Sequence, residues 1–218
     1  MKIAWAILLC TAIVFAEELA RFGGRRFIYN AVGWQCHLHS AGSCTFPDVD
    51  LEQAVDDLLK RLPESYNLAD TGAREALPGL IIGNTTLVGL SKLEVHGAPR
   101  PYCRRGKAML EISTRGFAHF SAPWRHCSGK SGKITTASPY VTLKMLFEVG
   151  SSTGFLVPVD VWLAWLEGTF VMLEGVNQAV DMGVSIVLTK LLPAVVRDFW
   201  IESLAWNTRS ILKEITSL

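Results

Sequence analysis

The residues with the clearest capacity for chemistry are two cysteines and two histidines near the N-terminus. Cys36, His37, His39 and Cys44 carry the thiol and imidazole groups that hold zinc in many proteins. In a secreted chain, however, the more common fate of paired cysteines is a disulfide. We therefore predict a Cys36–Cys44 disulfide, no metal site and no cofactor.

Other catalytic motifs are incomplete. The stretch "SGKSGK" at Ser128 is similar to a phosphate-binding loop, but Trp124 stands where G-x-x-x-x-G-K-S needs its first glycine. The chain has no G-x-S-x-G and no recognisable set of Ser, His and acid. We predict a protein that is not an enzyme. A secreted hydrolase with a scattered triad stays open as an alternative.

The N-terminus has the pattern of a secretory signal. Lys2 precedes an apolar run, Ile3–Phe15, and small residues lead to a cleavage site before Glu17. A membrane anchor would need roughly 20 apolar residues. The pattern predicts a signal peptide at residues 1–16 and a secreted, extracellular protein.

The remaining 202 residues suit one large domain. Residues 17–47 show no sustained period and are predicted to form an extended lead-in with its own disulfide loop. A single domain then covers residues 48–218. It begins with an amphipathic helix, for which Asp48 is the predicted N-cap and Pro63 the stop.

The stretch between Cys103 and Cys127 can be read as a hairpin with its turn at Thr114–Gly116. Residues whose numbers sum to 230 then face each other, so Leu110 meets Phe120, apolar against apolar. The same register places the two cysteines opposite each other. It predicts a Cys103–Cys127 disulfide.

The same region is strongly basic: residues 100–133 hold eight Lys and Arg and one acid, Glu111. The predicted hairpin brings six of the cations to one tip: Arg104, Arg105, Lys107, Arg125, Lys130 and Lys133. The tip is either a solvated sheet edge or a contact for anionic membranes or acidic glycans. Because the mature chain is nearly neutral, we expect no nucleic-acid partner. The oligomeric state stays open.

Two long strands follow, and helical spacing closes the chain. Residues 141–166 alternate with period two but leave both faces apolar after the turn, so both faces need cover. The last 40 residues recur at helical steps, and Pro193 should kink or split that helix. Asp181 and Lys190 count against a membrane span there. The order of helix, antiparallel meander of about five strands, and long apolar helix predicts an α+β fold.

The chain resembles the mite group 7 allergens and, more distantly, the takeout, juvenile-hormone-binding and BPI proteins, the TULIP lipid-binding superfamily. Over about residues 48–218, the resemblance rests on "DLEQAVDDLLKRL", "IIGNTTLVGLSKLEVHG", "GKAMLEISTRGFAHF", "YVTLKMLFEVG" and "KLLPAVVRDFWIESL". It implies a super-roll, in which a strongly curved sheet wraps a long C-terminal helix and encloses an apolar tunnel. Residues 17–47 have no counterpart in the mite allergens, but a short N-terminal disulfide loop is similar to takeout proteins.

The expected function is non-enzymatic binding of a hydrophobic ligand, a lipid or terpenoid, by a carrier or sensor. The alternative is a protein-interaction or innate-immunity-type recognition module whose core is filled by its own side chains. Asn84 begins an N-glycosylation sequon, which predicts a glycoprotein. The predicted ligand-lining residues are Leu143, Met145, Phe147, Phe155, Val157, Val159, Val161, Leu163, Trp165, Phe170, Val187, Leu188, Leu191, Val195 and Phe199.

Overall fold

Two very long strands form the centre of the sheet. The computed structural model describes residues 44, 46–48, 50–68, 73–150 and 155–217. Strand β7 covers Lys107–His126 and β8 covers Ser131–Val149, and they pair antiparallel from Met109↔Glu148 to Arg125↔Ser131. The predicted signal peptide and Cys36 lie outside the described residues.

The predicted hairpin at Thr114–Gly116 is wrong, because β7 runs straight through it. Its mirrored register looked convincing for a geometric reason. Two residues whose numbers sum to 230 are either both even or both odd. In one continuous strand, residues of the same parity lie on the same face, so apolar residues match apolar residues on either side of Arg115 without any hairpin. The observed turns are Arg105–Gly106, where φ is 54° and 75°, and Cys127–Lys130.

Short strands occupy the other edge of β7 in succession. They are β6 Arg100–Arg104, β5 Glu94–Val95, β4 Thr86–Val88 and β3 Leu80–Ile82, with β1 Ser65–Asn67 on β4 and β2 Arg74–Leu77 on β3. The stretch from Thr86 to Val95 is not one continuous strand, because a 3₁₀ turn, Leu90–Lys92, separates β4 from β5. Gly89 permits this break: its φ is 106°, and a Cβ there would lie 2.4 Å from the Phe117 carbonyl oxygen.

The free edge of β8 is shared by two strands. Strand β9, Leu156–Glu167, pairs with residues 140–149, and β10, Phe170–Leu173, pairs with residues 134–137. Within the described part these ten strands form one sheet that does not close into a barrel.

Strand β9 contains two bulges, so its side chains do not alternate between the two faces as predicted. The register shifts at Val159 and again at Ala164, and each extra residue moves the following side chains to the opposite face. As a result Leu156, Pro158 and Val161 are buried. The odd-numbered residues from 155 to 165 therefore do not form one face.

Helix α1 covers Leu51–Lys60 and buries one stripe of Val55, Leu58 and Leu59. Its N-cap is Asp50, whose side chain accepts a hydrogen bond from the Gln53 N–H at 3.0 Å. The predicted cap, Asp48, lies two residues too early, because an Asp at N-cap must reach the amide of the second or third helical residue.

The C-terminal helix is split, as predicted from Pro193. Helix α2 covers Gln178–Ile186, a π-helical turn covers Val187–Leu191, and α3 covers Pro193–Thr216. The two parts are bent by 82°, because proline has no N–H for the helical ladder and its ring obstructs the preceding turn.

Helix α3 lies on the concave side of the sheet through a single stripe: Val196, Trp200, Leu204, Thr208, Ile211 and Leu212. The indole N–H of Trp200 donates to Thr136 Oγ1 of β8 at 3.0 Å, and the Phe120 ring of β7 lies 5.0 Å from that of Trp200. The outer side of α3 faces solvent, since Trp206 there is 66% exposed. The fold is α+β, as predicted: within the described residues an antiparallel sheet of ten strands stays open, and the long C-terminal helix packs against it.

The disulfide joins Cys44 to Cys103, with 5.8 Å between their Cα atoms. Both predicted pairings are therefore wrong. Cys103 faces Ala108 at the first end of β7, whereas Cys127 follows the last residue of that strand, roughly 60 Å away along the chain at about 3.3 Å per residue. Cys127 is exposed and has no disulfide partner within the described residues.

Candidate ligand-binding site

The fifteen predicted lining residues divide into three groups. The buried ones are Leu143, Met145, Phe147, Val161 and Leu188; the half-buried ones are Val159, Leu163, Val187, Val195 and Phe199; and the exposed ones are Phe155, Val157, Trp165, Phe170 and Leu191. Only the first two groups can contribute to a site between sheet and helix.

The centre of the concave wall is filled by the protein's own side chains. Leu143, Met145 and Phe147 expose none of their surface. A residue that lines an open tunnel presents surface to whatever fills it. The predicted tunnel wall is therefore closed at these three positions.

The half-buried group marks where helix and sheet meet less tightly. Val159 and Leu163 are on β9, which runs along α3. Between them on β9, Asp160 Oδ1 lies 3.7 Å from Arg209 Nη1 of α3. We call this line of contact between β9 and the C-terminal helices the seam. Val195 and Phe199 are half-buried near the start of α3, where the Phe199 ring lies 5.0 Å from that of Phe120 on β7.

Five predicted lining residues lie outside this seam. Val157 and Trp165 on β9 and Phe155 just before it are exposed, as is Phe170 on the outward face of β10. Leu191, at the helix bend, is 68% exposed.

Sequence reasoning missed a polar atom in the helix–sheet core. Thr208 is fully buried in the α3 stripe, yet its hydroxyl has no hydrogen-bond partner among the described residues. Thr216 on the same helix donates to the Leu212 carbonyl oxygen at 2.8 Å. The signal available in the sequence was a lone hydroxyl within an apolar stripe.

The six predicted anionic-contact residues form two clusters and not one tip. Arg104, Arg105 and Lys107 lie at the β6–β7 turn, whereas the β7–β8 turn at the opposite end of β7 carries the other set. That second set is Arg125, Lys130 and Lys133. The error follows from the wrong hairpin, which folded one end of β7 onto the other.

The convex face carries a histidine with a shifted pKa. His119 on β7 is half-buried and its Nδ1 has no hydrogen-bond partner in the described part of the chain. Burial lowers the pKa of His119 below its ordinary value of 6.5, and the nearby positive charges of Lys133 and Lys92 lower it further.

Three other predicted features can be placed. Asn84 is exposed in the connection from β3 to β4, so the sequon is accessible, and its glycosylation stays a prediction. Cys44 is occupied by its disulfide, and His37 and His39 lie outside the described residues. Across the described ranges, no three His, Cys, Asp or Glu side chains group as metal ligands would.

No single helix in the described ranges is long and apolar enough to cross a bilayer. The bent pair of α2 with its π turn and α3 reaches that length and composition only when both parts are counted together.

No known family model matches the chain, and no curated protein matches it. The resemblance to the TULIP lipid-binding proteins therefore stays a prediction.

Proposed function

We propose that the protein is a secreted, non-enzymatic binding protein that carries or senses a hydrophobic ligand, a lipid or a terpenoid. The ligand would lie along the seam. The observation that carries this proposal is the half-buried state of the five apolar residues on β9 and the C-terminal helices. Covering that remaining apolar surface would favour binding at about 25 cal/mol per Å².

The polar groups near the seam suit a ligand with one oxygen-bearing end. Thr208 Oγ1 and Arg209 Nε are buried and have no hydrogen-bond partner among the described residues. A buried donor without a partner is costly. A carboxyl or hydroxyl group on an otherwise apolar ligand would satisfy one of them.

Secretion is supported by the Cys44–Cys103 disulfide. Such bonds persist in oxidising compartments and are rare in the cytosol. The signal-like N-terminus is the second support.

The test begins with the purified full chain. Organic extraction followed by mass spectrometry should release a lipid or terpenoid, and the emptied protein should take up a fluorescent fatty acid. Leu163→Gln should weaken uptake, because it places an amide in the seam. The matched control is Trp206→Gln, an exposed apolar residue on the outer side of α3, which should leave uptake unchanged. A protein with no extractable lipid and no uptake contradicts the proposal.

A second candidate is favoured by the fully buried Leu143, Met145 and Phe147. These residues suit a protein-interaction or recognition module with a self-filled core. This candidate predicts no extracted ligand, no uptake, and a melting temperature that added fatty acid does not change.

A further inference from the structure

The disulfide end of the sheet brings cations and exposed apolar side chains together. Arg104 pairs with Lys107 across the β6–β7 turn. Lys107 Nζ lies 2.7 Å from Glu148 Oε2 of β8, and Glu148 in turn faces Val157 of β9. We call Arg104, Arg105, Lys107, Phe155 and Val157 the Arg104 tip.

The apolar members of the tip are unusually open. Phe155 is 69% exposed and Val157 is 53% exposed. Phe155 stands just before β9, where its carbonyl oxygen accepts from the Gly150 N–H at 2.9 Å. Exposed apolar side chains beside charged groups are typical of contact sites.

The charge of the tip is mostly unpaired. Arg104 and Arg105 are exposed and form no ion pair within the described residues, while Lys107 is held by Glu148. The four strands β6, β7, β8 and β9 are neighbours at this end. At about 4.8 Å per strand spacing, the arginines lie roughly 14 Å across the sheet from Phe155.

The cations are held on a rigid support. Cys103, which precedes Arg104, is tied to Cys44 by the disulfide. The two-residue turn has φ of 54° at Arg105 and 75° at Gly106, the positive values of a tight hairpin turn. Little conformational freedom of the turn backbone would be lost on contact.

The opposite end of β7 carries the second group of cations but a less exposed apolar neighbour. Arg125 and Lys130 are exposed there, and Lys133 Nζ lies 3.7 Å from Glu174 Oε1. Within residues 125–131 no large apolar side chain is exposed. Met172 of β10, two residues before Glu174, is 40% exposed at this end, whereas Phe155 and Val157 of the Arg104 tip are 69% and 53% exposed, so the Arg104 tip presents the more open apolar side chains.

We propose that the Arg104 tip docks on an anionic lipid bilayer. Phe155 and Val157 enter the interface between headgroups and acyl chains, and Arg104 and Arg105 contact lipid phosphates. Apolar insertion beside basic side chains is the combination that favours anionic membrane surfaces. This docking goes beyond the proposed ligand binding, because the tip and the seam share no residue and neither activity requires the other.

The experiment measures co-sedimentation of the full chain with vesicles of phosphatidylcholine that contain about 30% phosphatidylserine, a strongly anionic surface. Arg104→Gln with Arg105→Asn should lower the affinity about 25-fold, at about fivefold per removed charge. Asn suits the positive φ at position 105. Phe155→Ser with Val157→Ser should lower it at least tenfold.

Two matched control variants make the same kinds of substitution at positions outside the Arg104 tip. Arg125→Gln with Lys130→Gln removes the same charge from the other end of β7, and Trp165→Ser removes an exposed apolar side chain elsewhere on β9. Both should retain at least half of the wild-type affinity. Circular dichroism checks that each variant is folded.

Three results would overturn the proposal. The first is an equal loss in the Arg125 control pair, which would indicate diffuse charge attraction. The second is full binding by the Phe155 variant pair. The third is binding to a sulfated glycan with none to the vesicles. Fatty-acid uptake is measured separately, so failure here leaves the ligand proposal independently decided.

Discussion

Trp200 of α3 donates its indole N–H to Thr136 of β8, with 3.0 Å between Nε1 and Oγ1, and both residues are buried. This hydrogen bond joins the C-terminal helix to the centre of the sheet. Thr135, the preceding residue, is also buried, but its hydroxyl has no partner among the described residues.

Thr136→Val should lower the free energy of unfolding by about 1 to 3 kcal/mol, because it leaves the buried Trp200 N–H without an acceptor. Thr135→Val is the adjacent control and should be neutral or stabilising, since it removes a hydroxyl that bonds nothing. Urea unfolding monitored by tryptophan fluorescence compares the two. Equal losses would show that β-sheet packing, and not this bond, decides the result.

Thr208→Val should raise the free energy of unfolding by up to about 1 kcal/mol, because the methyl group replaces a buried hydroxyl without a partner. Thr208→Ser keeps the hydroxyl and loses a methyl group, so it should be destabilised by about 1 kcal/mol. Thermal unfolding measures both. A destabilised valine variant would mean that the hydroxyl has a partner, such as a retained ligand.

Stability should depend on the protonation of His119. Its pKa is lower in the folded protein than its ordinary 6.5, so the unfolded chain binds the proton more tightly. The contribution of this residue is therefore constant above about pH 6.5 and declines as the pH falls from there toward the folded-state pKa.

Urea midpoints at pH 7.5, 6.5 and 5.5 measure this slope. His119→Gln should flatten the decline between pH 6.5 and 5.5, whereas His96→Gln, at an exposed position, should not. An unchanged slope in the His119 variant would assign the decline to other groups.

Loss of the Cys44–Cys103 bond should destabilise the protein by about 4 kcal/mol, the loop-closure value for a separation of 59 residues. Cys44→Ser with Cys103→Ser provides the test in chemical denaturation. Cys127→Ser should change stability little, because that side chain is exposed. If the Cys127 variant loses as much stability as the double variant, Cys127 has a structural partner of its own.

The fold class could be predicted from the sequence because patterns that extend over many residues are not changed by a shift of one residue. Helix α1, the alternating strands and the break at Pro193 all follow from periodicity and from the chemistry of single residues. The predictions that were wrong, such as which side chains of β9 face inward, depend on shifts of a single residue. Bulges at Val159 and Ala164 reverse which side chains of β9 face inward, and no residue type at those positions signals them.

The predicted position of the basic clusters was wrong for a related reason. Alternation shows that residues 107–126 are extended, but it has the same form in one strand as in a hairpin. Gly106 was the residue that could have located the true turn, because Gly suits the second position of a two-residue hairpin turn, where φ is positive. Arg105 at the first position weakened this signal, since Arg is uncommon with positive φ. The same wrong hairpin also led to the wrong disulfide partner for Cys103.

The long pairing of β7 with β8, which shifts register once between Gly116 and Ala118, has a consequence for the order of folding. These two strands are neighbours in sequence as well as in space, so they can associate after closing only a short turn. Helix α3 must instead return over 64 residues, the separation of Thr136 from Trp200. We expect the β7–β8 ladder to form first and to exchange its amide hydrogens last, and pulse-labelled hydrogen exchange that protects α3 earlier would reverse this order.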